Sequence, residues 1–549
     1  MREGSEGYMA EMDYVHSYDR HVNPVHMQFC MAASGQAHRP ITTACELGYG
    51  QGIPVNVHAA ASRVRWHGTD FLPEHARFAR QLARESGSAL ELADQSFRDY
   101  CQRGDLPDFD YIVVHGIWSW VSDENRRVLV DFIQRKLRAG GVLSISYNTL
   151  HGWSEMHPMR DLLNQIAHAP AKAQDEISHR IDAALDFSDA LIASTPRIAQ
   201  NPELMDRLRS MRTGKRRYIA GEYFGREWHP MSFGQVSDWL MPAGLGFACS
   251  ADHLPAMDAR RLTSAQEDLL SSCPSVALQQ SVRDYQLGTQ FRRDYWVRRE
   301  TEAWSPALAQ NLETSHVVLV GPAVNLLEPP MLGAAYGEVE LAGLKALADK
   351  MEKHEACLMG DLLEAMTCAG ATRDRALQLV CGCVEAGSFA AAQAPADRPD
   401  TGGSLRLNEA LLRLKHSDAH ALYLATPVTG GAVEVERAAR WLLQVRNADP
   451  EAPEAWAQAA YHAMCADGQT VEPLKAEPRA RTDMLADLTR QAENAGRDNP
   501  SAWASEVLDF FLENPLPDSQ DGLKDMKLRS EVFKTKTLPM LLALGAVPA

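Results

Sequence analysis

Apolar stretches alternate with amphipathic stretches through the first 150 residues of the chain. Five short, mostly apolar runs predict β-strands over Ile41–Leu47, Val64–Asp70, Ala89–Ala93, Tyr111–His115 and Val142–Tyr147. Helical spacing predicts helices over Glu74–Ser86 and Asp123–Leu137, and Gly140-Gly141 is expected to stop the second. Strands and helices that alternate in this way are typical of a parallel sheet covered by helices on both faces.

The pattern changes after Pro158, where helical spacing dominates up to about Leu240. Two strand candidates follow, over Gly246–Asp252 and Phe291–Arg298. We interpret them as the last two strands of the first sheet, paired antiparallel, with residues 157–240 as a helical insertion before them. The predicted fold class is therefore α/β, with a Rossmann-like sheet of seven strands.

The C-terminal half is predicted to be mainly helical. Glu338–Ala392 has helical spacing and a Gly387-Ser388-Phe389 turn, which suggests a small helical or winged-helix module with a wing. Gln393–Gly403 is predicted to be a linker or a long wing loop. Beyond it, helices are expected over Ala432–Val445 and Met484–Leu512.

Length and charge narrow the function classes. A chain of 549 residues is expected to form roughly three or four domains. It has 55 Lys and Arg against 72 Asp and Glu, a formal charge of −17 that disfavours binding to nucleic acid. We see no apolar run of about 20 residues and no signal peptide. The ten cysteines are scattered. These features predict a cytoplasmic protein without membrane insertion and without a metal site.

A glycine-rich turn follows the first predicted strand, in Glu46-Leu47-Gly48-Tyr49-Gly50-Gln51-Gly52. Glycines at every second position let the backbone turn tightly and approach a ligand, and the following helix N-terminus favours negative charge. The spacing is G-x-G-x-G and not G-x-G-x-x-G, because Ile53 stands where a dinucleotide motif has its third glycine. With an acidic residue two positions before the first glycine, it favours S-adenosylmethionine over a dinucleotide. A purely structural turn is the alternative.

Other strand ends supply candidate cofactor contacts. Asp70 ends the second strand, where a carboxylate can accept hydrogen bonds from both ribose hydroxyls, although it could instead cap the helix that starts near Pro73. Asp94, Gln95 and Ser96 follow the third strand and could bind an adenine amino group, or they could be loop and cap residues. The predicted cofactor-binding set is Glu46, Gly48, Tyr49, Gly50, Gly52, Asp70, Phe71, Asp94, Gln95, Ser96, His115, Gly116 and Ile117.

Five stretches carry a resemblance to a known family. They are ELGYGQG (46–52), FDYIVVHGIWSWV (109–121), LRAGGVLSISYNTLHGW (137–153), REWHPMSFGQVSDWLMPAGLGFACSADHLP (226–255) and LYLATPVTGGAV (422–433). Together they resemble class I methyltransferases that bear a methyltransferase regulatory domain, among them bacterial protein-lysine methyltransferases that act on outer-membrane proteins. Departures are Gln51, where the family often has an acidic or small residue, and His151, where it often has proline. The second departure lies near the expected acceptor pocket.

The resemblance implies S-adenosylmethionine as the cofactor and a catalytic sheet, a middle helical region and a C-terminal interaction domain. We divide the chain accordingly into a cofactor-binding core (1–156), the insertion (157–240), the last core strands with the regulatory region (241–300), a winged-helix-like module (301–403) and a C-terminal helical domain (404–549). No match extends beyond about residue 450, and this region is a candidate homodimer surface.

Aromatic residues near the strand ends are candidates for the reaction itself. An amine acceptor must be neutral when it attacks, and an aromatic cage could hold its ammonium beforehand through cation–π contact. We assign Tyr147, Asn148 and Trp118 as catalytic candidates. The substrate-binding candidates are Trp120, Trp153, Tyr14 and Tyr18, the two tyrosines as an N-terminal lid. Core packing is the alternative for the tryptophans, and an ordinary amphipathic helix is the alternative for the lid.

The predicted function is methyl transfer from S-adenosylmethionine to an acceptor, with protein lysine side chains preferred. A small-molecule N- or O-methyltransferase is the first alternative. A non-catalytic scaffold that retains the fold is the second, and a winged-helix regulator that binds DNA is the third. The acidic charge argues against the regulator, and the intact glycine turn with Asp70 argues against the scaffold.

Overall fold

A computed structural model describes residues 17–169, 176–225, 227–299, 311–323, 326, 337–414, 421–446, 453–466 and 522–548. Tyr14 and the helix expected over Met484–Leu512 lie outside the described residues. The chain forms two compact units. The first comprises residues 1–419, 423–434 and 540–549, and the second comprises residues 420–422 and 435–539.

A seven-stranded sheet forms the centre of the first unit, in the order β3-β2-β1-β4-β5-β7-β6. Its strands are β1 (Thr43–Leu47), β2 (Arg65–Thr69), β3 (Leu90–Ala93), β4 (Phe109–Val114), β5 (Leu137–Asn148), β6 (Leu245–Ser250) and β7 (Phe291–Arg298). The first five pair in parallel, whereas β7 runs antiparallel to both β5 and β6. This topology confirms the predicted α/β class, the seven strands and the antiparallel pairing of the last two.

Helices cover both faces of the sheet, so its central strands are buried. β1 and β4 are buried at every position, as expected for central parallel strands. The helices of this layer are α1 (Pro24–Ala33), α2 (Ile53–Ala61), α3 (Pro73–Ser86), α4 (Phe97–Cys101), α5 (Asp123–Lys136) and α6 (Leu150–Trp153). The apolar stripe of α3 (Ala76, Ala79 and Leu82) is buried, and Gly87 ends that helix in the left-handed conformation.

The glycine pair expected to stop α5 instead lies inside β5. The helix ends at Lys136 and the strand begins at Leu137, so that Gly140 and Gly141 sit where the β4–β5 register shifts. Gly140 has φ +68°, and a Cβ on Gly141 would lie 2.8 Å from the Arg138 carbonyl oxygen. The two glycines therefore mark a β-bulge. In the sequence, a glycine pair that ends a helix and one that forms a bulge look the same.

The insertion between β5 and β6 has a core of its own. It contains α7 (His157–Ala167), α8 (Ile177–Ser194), α9 (Pro202–Thr213), α10 (Arg216–Phe224) and α11 (Phe233–Leu240). Side chains of α7 to α10 pack around Trp153, Met156 and Trp228, whereas Phe233, Val236 and Leu240 of α11 pack on the sheet. Three helices that periodicity did not predict lie between β6 and β7, namely α12 (Asp258–Arg261), α13 (Ser264–Ser271) and α14 (Val276–Leu287).

A winged-helix-like module follows in the first unit. It comprises β8 (His316–Leu319), α15 (Glu338–Met351), β9 (Cys357–Leu358), α16 (Met359–Cys368), α17 (Arg373–Ala386) and β10 (Phe389–Ala392). The three strands form an antiparallel sheet in the order β10-β8-β9. Gly387 ends α17 with φ +81° and leads into β10, where the wing was expected. The short strand β8 was not predicted.

The following segment contains both strand and helix. The expected linker Gln393–Gly403 holds a short 3₁₀ turn and runs into α18 (Gly402–Arg413). The helix expected over Ala432–Val445 begins only at Arg437, because its first residues form a strand. That strand, β12 (Gly431–Glu436), pairs with β11 (Ala421–Thr426). Its alternating burial is a period-2 pattern that was mistaken for the start of a helix.

The second unit is mainly helical in its described part, which also includes the ends of β11 and β12. It contains α19 (Arg437–Val445), α20 (Pro453–Ala466) and α21 (Gly522–Val532). The helix α22 (Leu538–Ala543) follows, and most of it belongs to the first unit. Its buried side chains include Trp441, Leu442 and Trp456, and the ring of Trp456 lies edge-on to Phe533 with 6.4 Å between ring centroids. Among the described residues of the whole chain, no helix is both long and apolar enough to cross a bilayer.

Candidate functional site

The turn after β1 requires its glycines. Gly48, Gly50 and Gly52 have φ angles of +79°, +56° and +75°, a region that side chains other than glycine rarely adopt. A Cβ on Gly48 would lie 2.4 Å from Ile117, and one on Gly52 would lie 2.5 Å from Ala79. A Cβ on Gly50 would meet nothing within 4 Å. The turn is therefore packed against the protein at two glycines and open at the third.

Asp70 holds this turn in place. Its Oδ2 accepts a hydrogen bond from the Gly50 amide at 2.9 Å, and its Oδ1 accepts one from the Leu72 amide at 3.0 Å. His75 Nδ1 lies 3.2 Å from Oδ1. The N-cap position of α3 is Leu72, which makes no side-chain capping bond, so Asp70 is not the cap of that helix. Its carboxylate joins the end of β2 to the glycine turn.

A cavity of about 180 Å³ opens at the carboxyl ends of β1, β2 and β4. Twelve of the thirteen predicted cofactor residues line it: Glu46, Gly48, Tyr49, Gly50, Gly52, Asp70, Phe71, Gln95, Ser96, His115, Gly116 and Ile117. The cavity is also lined by residues that no sequence motif indicated, namely Ser17, Gln51, Ile53, Pro54, Phe97, Val121 and Asn125. We call this space the glycine-turn cavity.

Asp94 is the exception, and we remove it from the site. Its carboxylate is half-exposed and pairs with Arg80 at 2.8 Å. It follows the last residue of β3, and the next two residues, Gln95 and Ser96, line the cavity instead.

Two buried polar atoms of residues that line the glycine-turn cavity could form hydrogen bonds with a ligand. Glu46 Oε2 and Gln95 Oε1 have no hydrogen-bond partner among the described residues. Burial raises the pKa of Glu46 to about 8, with the negative charge of Asp70 acting in the same direction. A ligand that brings a cation to Glu46 and an N–H donor to Gln95 would satisfy both atoms.

A second, larger cavity of about 760 Å³ adjoins the first, and we call it the acceptor cavity. His115, Gly116 and Trp120 line both cavities. The remaining wall comes from the end of β5, helix α6, the start of β7 and the insertion helices α9 and α10. Its residues are Asn148, Trp153, Glu203, Asp206, Arg207, Ser210, Tyr218, Glu222, Tyr223, Gln290 and Phe291. The insertion therefore completes a space that the sheet alone would leave open.

The acceptor cavity has aromatic and acidic walls, which together favour a cation. The guanidinium of Arg207 already lies 4.5 Å from the ring centroid of Trp153. Burial raises the pKa of Glu222, although Arg160 and Arg207 oppose that shift. Asn148 is 2% exposed, and its Nδ2 has no hydrogen-bond partner among the described residues.

Two of the three catalytic candidates line neither cavity. Trp118 is fully buried, edge-on to Trp239, with the Arg126 guanidinium 5.9 Å from its ring. The Tyr147 hydroxyl donates to Asp294 at 2.8 Å inside the core. Side chains alternate along β5, so Asn148 faces the acceptor cavity and Tyr147 faces away. We therefore withdraw Trp118 and Tyr147 as groups that contact an acceptor.

The substrate-binding candidates also divide. Trp120 and Trp153 line the acceptor cavity. Tyr18 does not, because its hydroxyl lies 3.1 Å from His58 Nε2 and its ring packs against Tyr423. Its neighbour Ser17 lines the glycine-turn cavity, so the N-terminal segment reaches the site through a different residue. The acidic residues of α9 and α10 gave no sequence signal, because no motif spacing connects them to the sheet.

Comparisons with known proteins agree with this architecture. Residues 215–298 match the family described as a predicted methyltransferase regulatory domain. The uncharacterised protein sll1526 of Synechocystis sp. is 30% identical over 460 residues, covering 82% of this chain and 89% of that protein. The structure of PKMT2 from Rickettsia typhi is 14% identical, covers 94% of this chain and 99% of that chain, and gives a TM-score of 0.59. The structure of PKMT2 in complex with AdoHcy is 15% identical, covers 91% of this chain and 98% of that chain, and gives a TM-score of 0.58. At these identities the structural likeness shows a shared fold.

Proposed function

We propose that this chain methylates protein lysine side chains. The chain belongs to the family of class I S-adenosylmethionine-dependent methyltransferases that carry a methyltransferase regulatory domain. The observation that carries the proposal is the wall shared by the two cavities at His115, Gly116 and Trp120. A methyl donor in one cavity and an acceptor in the other would meet there.

The glycine-turn cavity fits S-adenosylmethionine by its own chemistry. The carboxyl group of Glu46 suits the ammonium of the methionine part, and the Asp70 carboxylate suits the ribose hydroxyls. Gln95 and Ser96 lie where polar groups can bind the adenine. The AdoHcy complex of Rickettsia PKMT2 shows that a protein of this fold binds a closely related molecule. When bound, S-adenosylmethionine supplies a methyl group on a positively charged sulfur.

The acceptor cavity suits a lysine side chain. The aromatic rings of Trp120 and Trp153 line the cavity, and the Trp153 ring already holds the cationic Arg207 guanidinium, while the carboxylates Glu203 and Asp206 attract positive charge. Asn148 has an unpaired polar atom at the end of β5, within the same wall. Holding the amine in line with the methyl group and sulfur contributes about 7–11 kcal/mol in well-oriented reactions.

Incubation with tritiated S-adenosylmethionine tests the proposal. Purified protein is mixed with a dialysed bacterial extract and with its small-molecule filtrate as separate acceptors. We expect label in the protein fraction, and we expect methyllysine after acid hydrolysis. Label that appears only in the filtrate would refute the lysine acceptor in favour of a small-molecule methyltransferase. No label above a boiled-protein control would contradict the activity itself.

A further inference from the structure

His115 occupies the wall between the two cavities. It follows β4 directly, and it lines both the glycine-turn cavity and the acceptor cavity. Its side chain is 27% exposed. Gly116 and Trp120 share this position but carry no titratable group. His115 is therefore the residue of the shared wall that can exchange a proton.

A carboxylate from the N-terminal segment faces the imidazole. His115 Nε2 lies 3.4 Å from Asp19 Oδ2. The same carboxylate accepts a hydrogen bond from Arg293 Nε at 2.7 Å and lies 2.6 Å from His21 Nδ1. Asp252 in turn lies 3.0 Å from Arg293 and 3.4 Å from His21 Nε2. Asp19 is thus fixed from two sides, and its carboxylate is held beside the His115 imidazole.

We propose that His115 accepts the proton that the acceptor ammonium must lose before methyl transfer, and that Asp19 is the positioning residue for its imidazole. This inference rests on the proposed function. With Nε2–H directed at Asp19, Nδ1 carries the lone pair and takes one proton from R–NH₃⁺. The resulting R–NH₂ attacks the methyl carbon as the carbon–sulfur bond breaks. The products are R–NH₂⁺–CH₃ and the uncharged thioether, and the proton leaves His115 for solvent.

Burial favours a neutral His115. Burial lowers its pKa, Asp19 opposes that shift, Arg293 and His21 reinforce it, and Asp252 opposes it more weakly. Burial works against ionisation of Asp19, but His115, His21 and Arg293 hold its pKa well below the usual range. Asp19 is therefore a carboxylate beside an imidazole whose free lone pair is available at neutral pH. The positive sulfur of the donor lowers the pKa of a nearby ammonium in the same step.

Other acidic groups near the acceptor are placed differently. Glu203, Asp206 and Glu222 line the acceptor cavity but not the glycine-turn cavity. They can attract and hold a cation, whereas only a group on the shared wall adjoins both the amine and the methyl. If Glu222 were the proton acceptor instead, removal of the His115 imidazole would leave turnover intact.

The test compares His115→Asn, Asp19→Asn and the control His316→Gln with the wild-type protein. His316 lies on β8 and lines neither cavity. Methyl transfer is measured from pH 6 to 10 on the labelled acceptor, with the melting temperature as the folding control and cofactor binding measured separately. We expect His115→Asn to lower kcat at pH 7.5 by about 10²- to 10⁴-fold. Asp19→Asn should shift the acid limb of the profile to lower pH, and His316→Gln should match the wild type.

The high-pH end separates a base from a structural residue. Near pH 10 the lysine ammonium, with an ordinary pKa of about 10.4, arrives partly neutral, so the deficit of His115→Asn should shrink. Wild-type kcat in that variant, or a deficit equal at every pH, would overturn the role of His115. If label enters only small molecules, protein lysine is refuted as the acceptor. The rate of His115→Asn is then measured on the labelled small molecule, where a lower rate supports His115 as the base and an unchanged rate refutes it.

Discussion

Glu46 shows how one buried residue can couple cofactor binding to pH. Its pKa of about 8 means that the empty site holds a protonated carboxyl at neutral pH, because burial penalises the charge. A cationic ligand group favours the ionised form, so binding should release a proton below pH 8 and affinity should rise as the pH approaches 8. Calorimetry in buffers of different ionisation enthalpy measures that proton. Glu46→Gln should abolish the release, and buffer-independent heats in the wild type would contradict the assignment.

Asp70 and Asp94 form a matched pair of carboxylates at neighbouring strand ends. Asp70 faces the glycine turn and is buried, whereas Asp94 pairs with Arg80 at the surface. We expect Asp70→Asn to weaken S-adenosylmethionine binding by about 10- to 100-fold, since charge-assisted hydrogen bonds contribute about 1.5–3 kcal/mol. Asp94→Asn should leave the dissociation constant unchanged. Equal effects of the two substitutions would argue against a ribose contact at Asp70.

At the scale of elements, sequence reasoning identified the strand ends well. Parallel strands bring their carboxyl ends to one edge, so a motif after β1 predicted where residues after β2 and β4 would meet. It did not predict which side chain of an adjacent pair faces the cavity. Tyr147 and Asn148 are adjacent, so their side chains point to opposite faces of β5. The strand begins five residues earlier than expected, but the opposite orientation of these two side chains does not depend on where it begins. Contacts from the insertion were missed because they depend on packing between segments far apart in the chain.

Helix α9 gives the acceptor cavity part of its charge. Glu203 and Asp206 line the cavity, where Asp206 also pairs with Arg209 at 2.5 Å, and Asp186 and Asp189 on α8 pair with Arg212 away from it. The double variant Glu203→Gln/Asp206→Asn should raise the KM for lysine acceptors by about fivefold, or about 1 kcal/mol, with little change in kcat. The difference should fade at 1 M salt. Asp186→Asn/Asp189→Asn is the control, and the same KM change there would indicate a general charge effect.

At the scale of the molecule, the winged-helix-like module and the sheet share one core. Leu379 of α17 is fully buried in the same apolar cluster as Tyr111 and Val142 of the sheet. Glu385 accepts a hydrogen bond from the Leu254 amide at 2.6 Å, which ties the module to the segment after β6. The sequence predicted a module here but could not predict this continuity, because local periodicity does not reveal which faces of separate segments pack together.

This shared core predicts cooperative unfolding of the first unit. Leu379→Ala should lower the free energy of unfolding by about 2–5 kcal/mol, since it removes buried methyl groups and leaves a cavity. Scanning calorimetry should show the transition of the sheet and the module moving down together. Leu278→Ala, at a position that is 47% exposed, should shift it little. A separate low-temperature transition in the Leu379 variant would show that the module unfolds independently.

The central claim is that the turn at residues 48–52 holds S-adenosylmethionine, and titration calorimetry tests it most directly. Gly50 and Gly35 both have positive φ, and a Cβ at either would meet nothing within 4 Å, but only Gly50 lines the cavity. The strain of an arginine at either position is therefore similar, about 1–2 kcal/mol. We predict one S-adenosylmethionine per chain in the wild type and in Gly35→Arg, and no binding in Gly50→Arg. Undiminished binding in Gly50→Arg, or none in the wild type, would contradict the account.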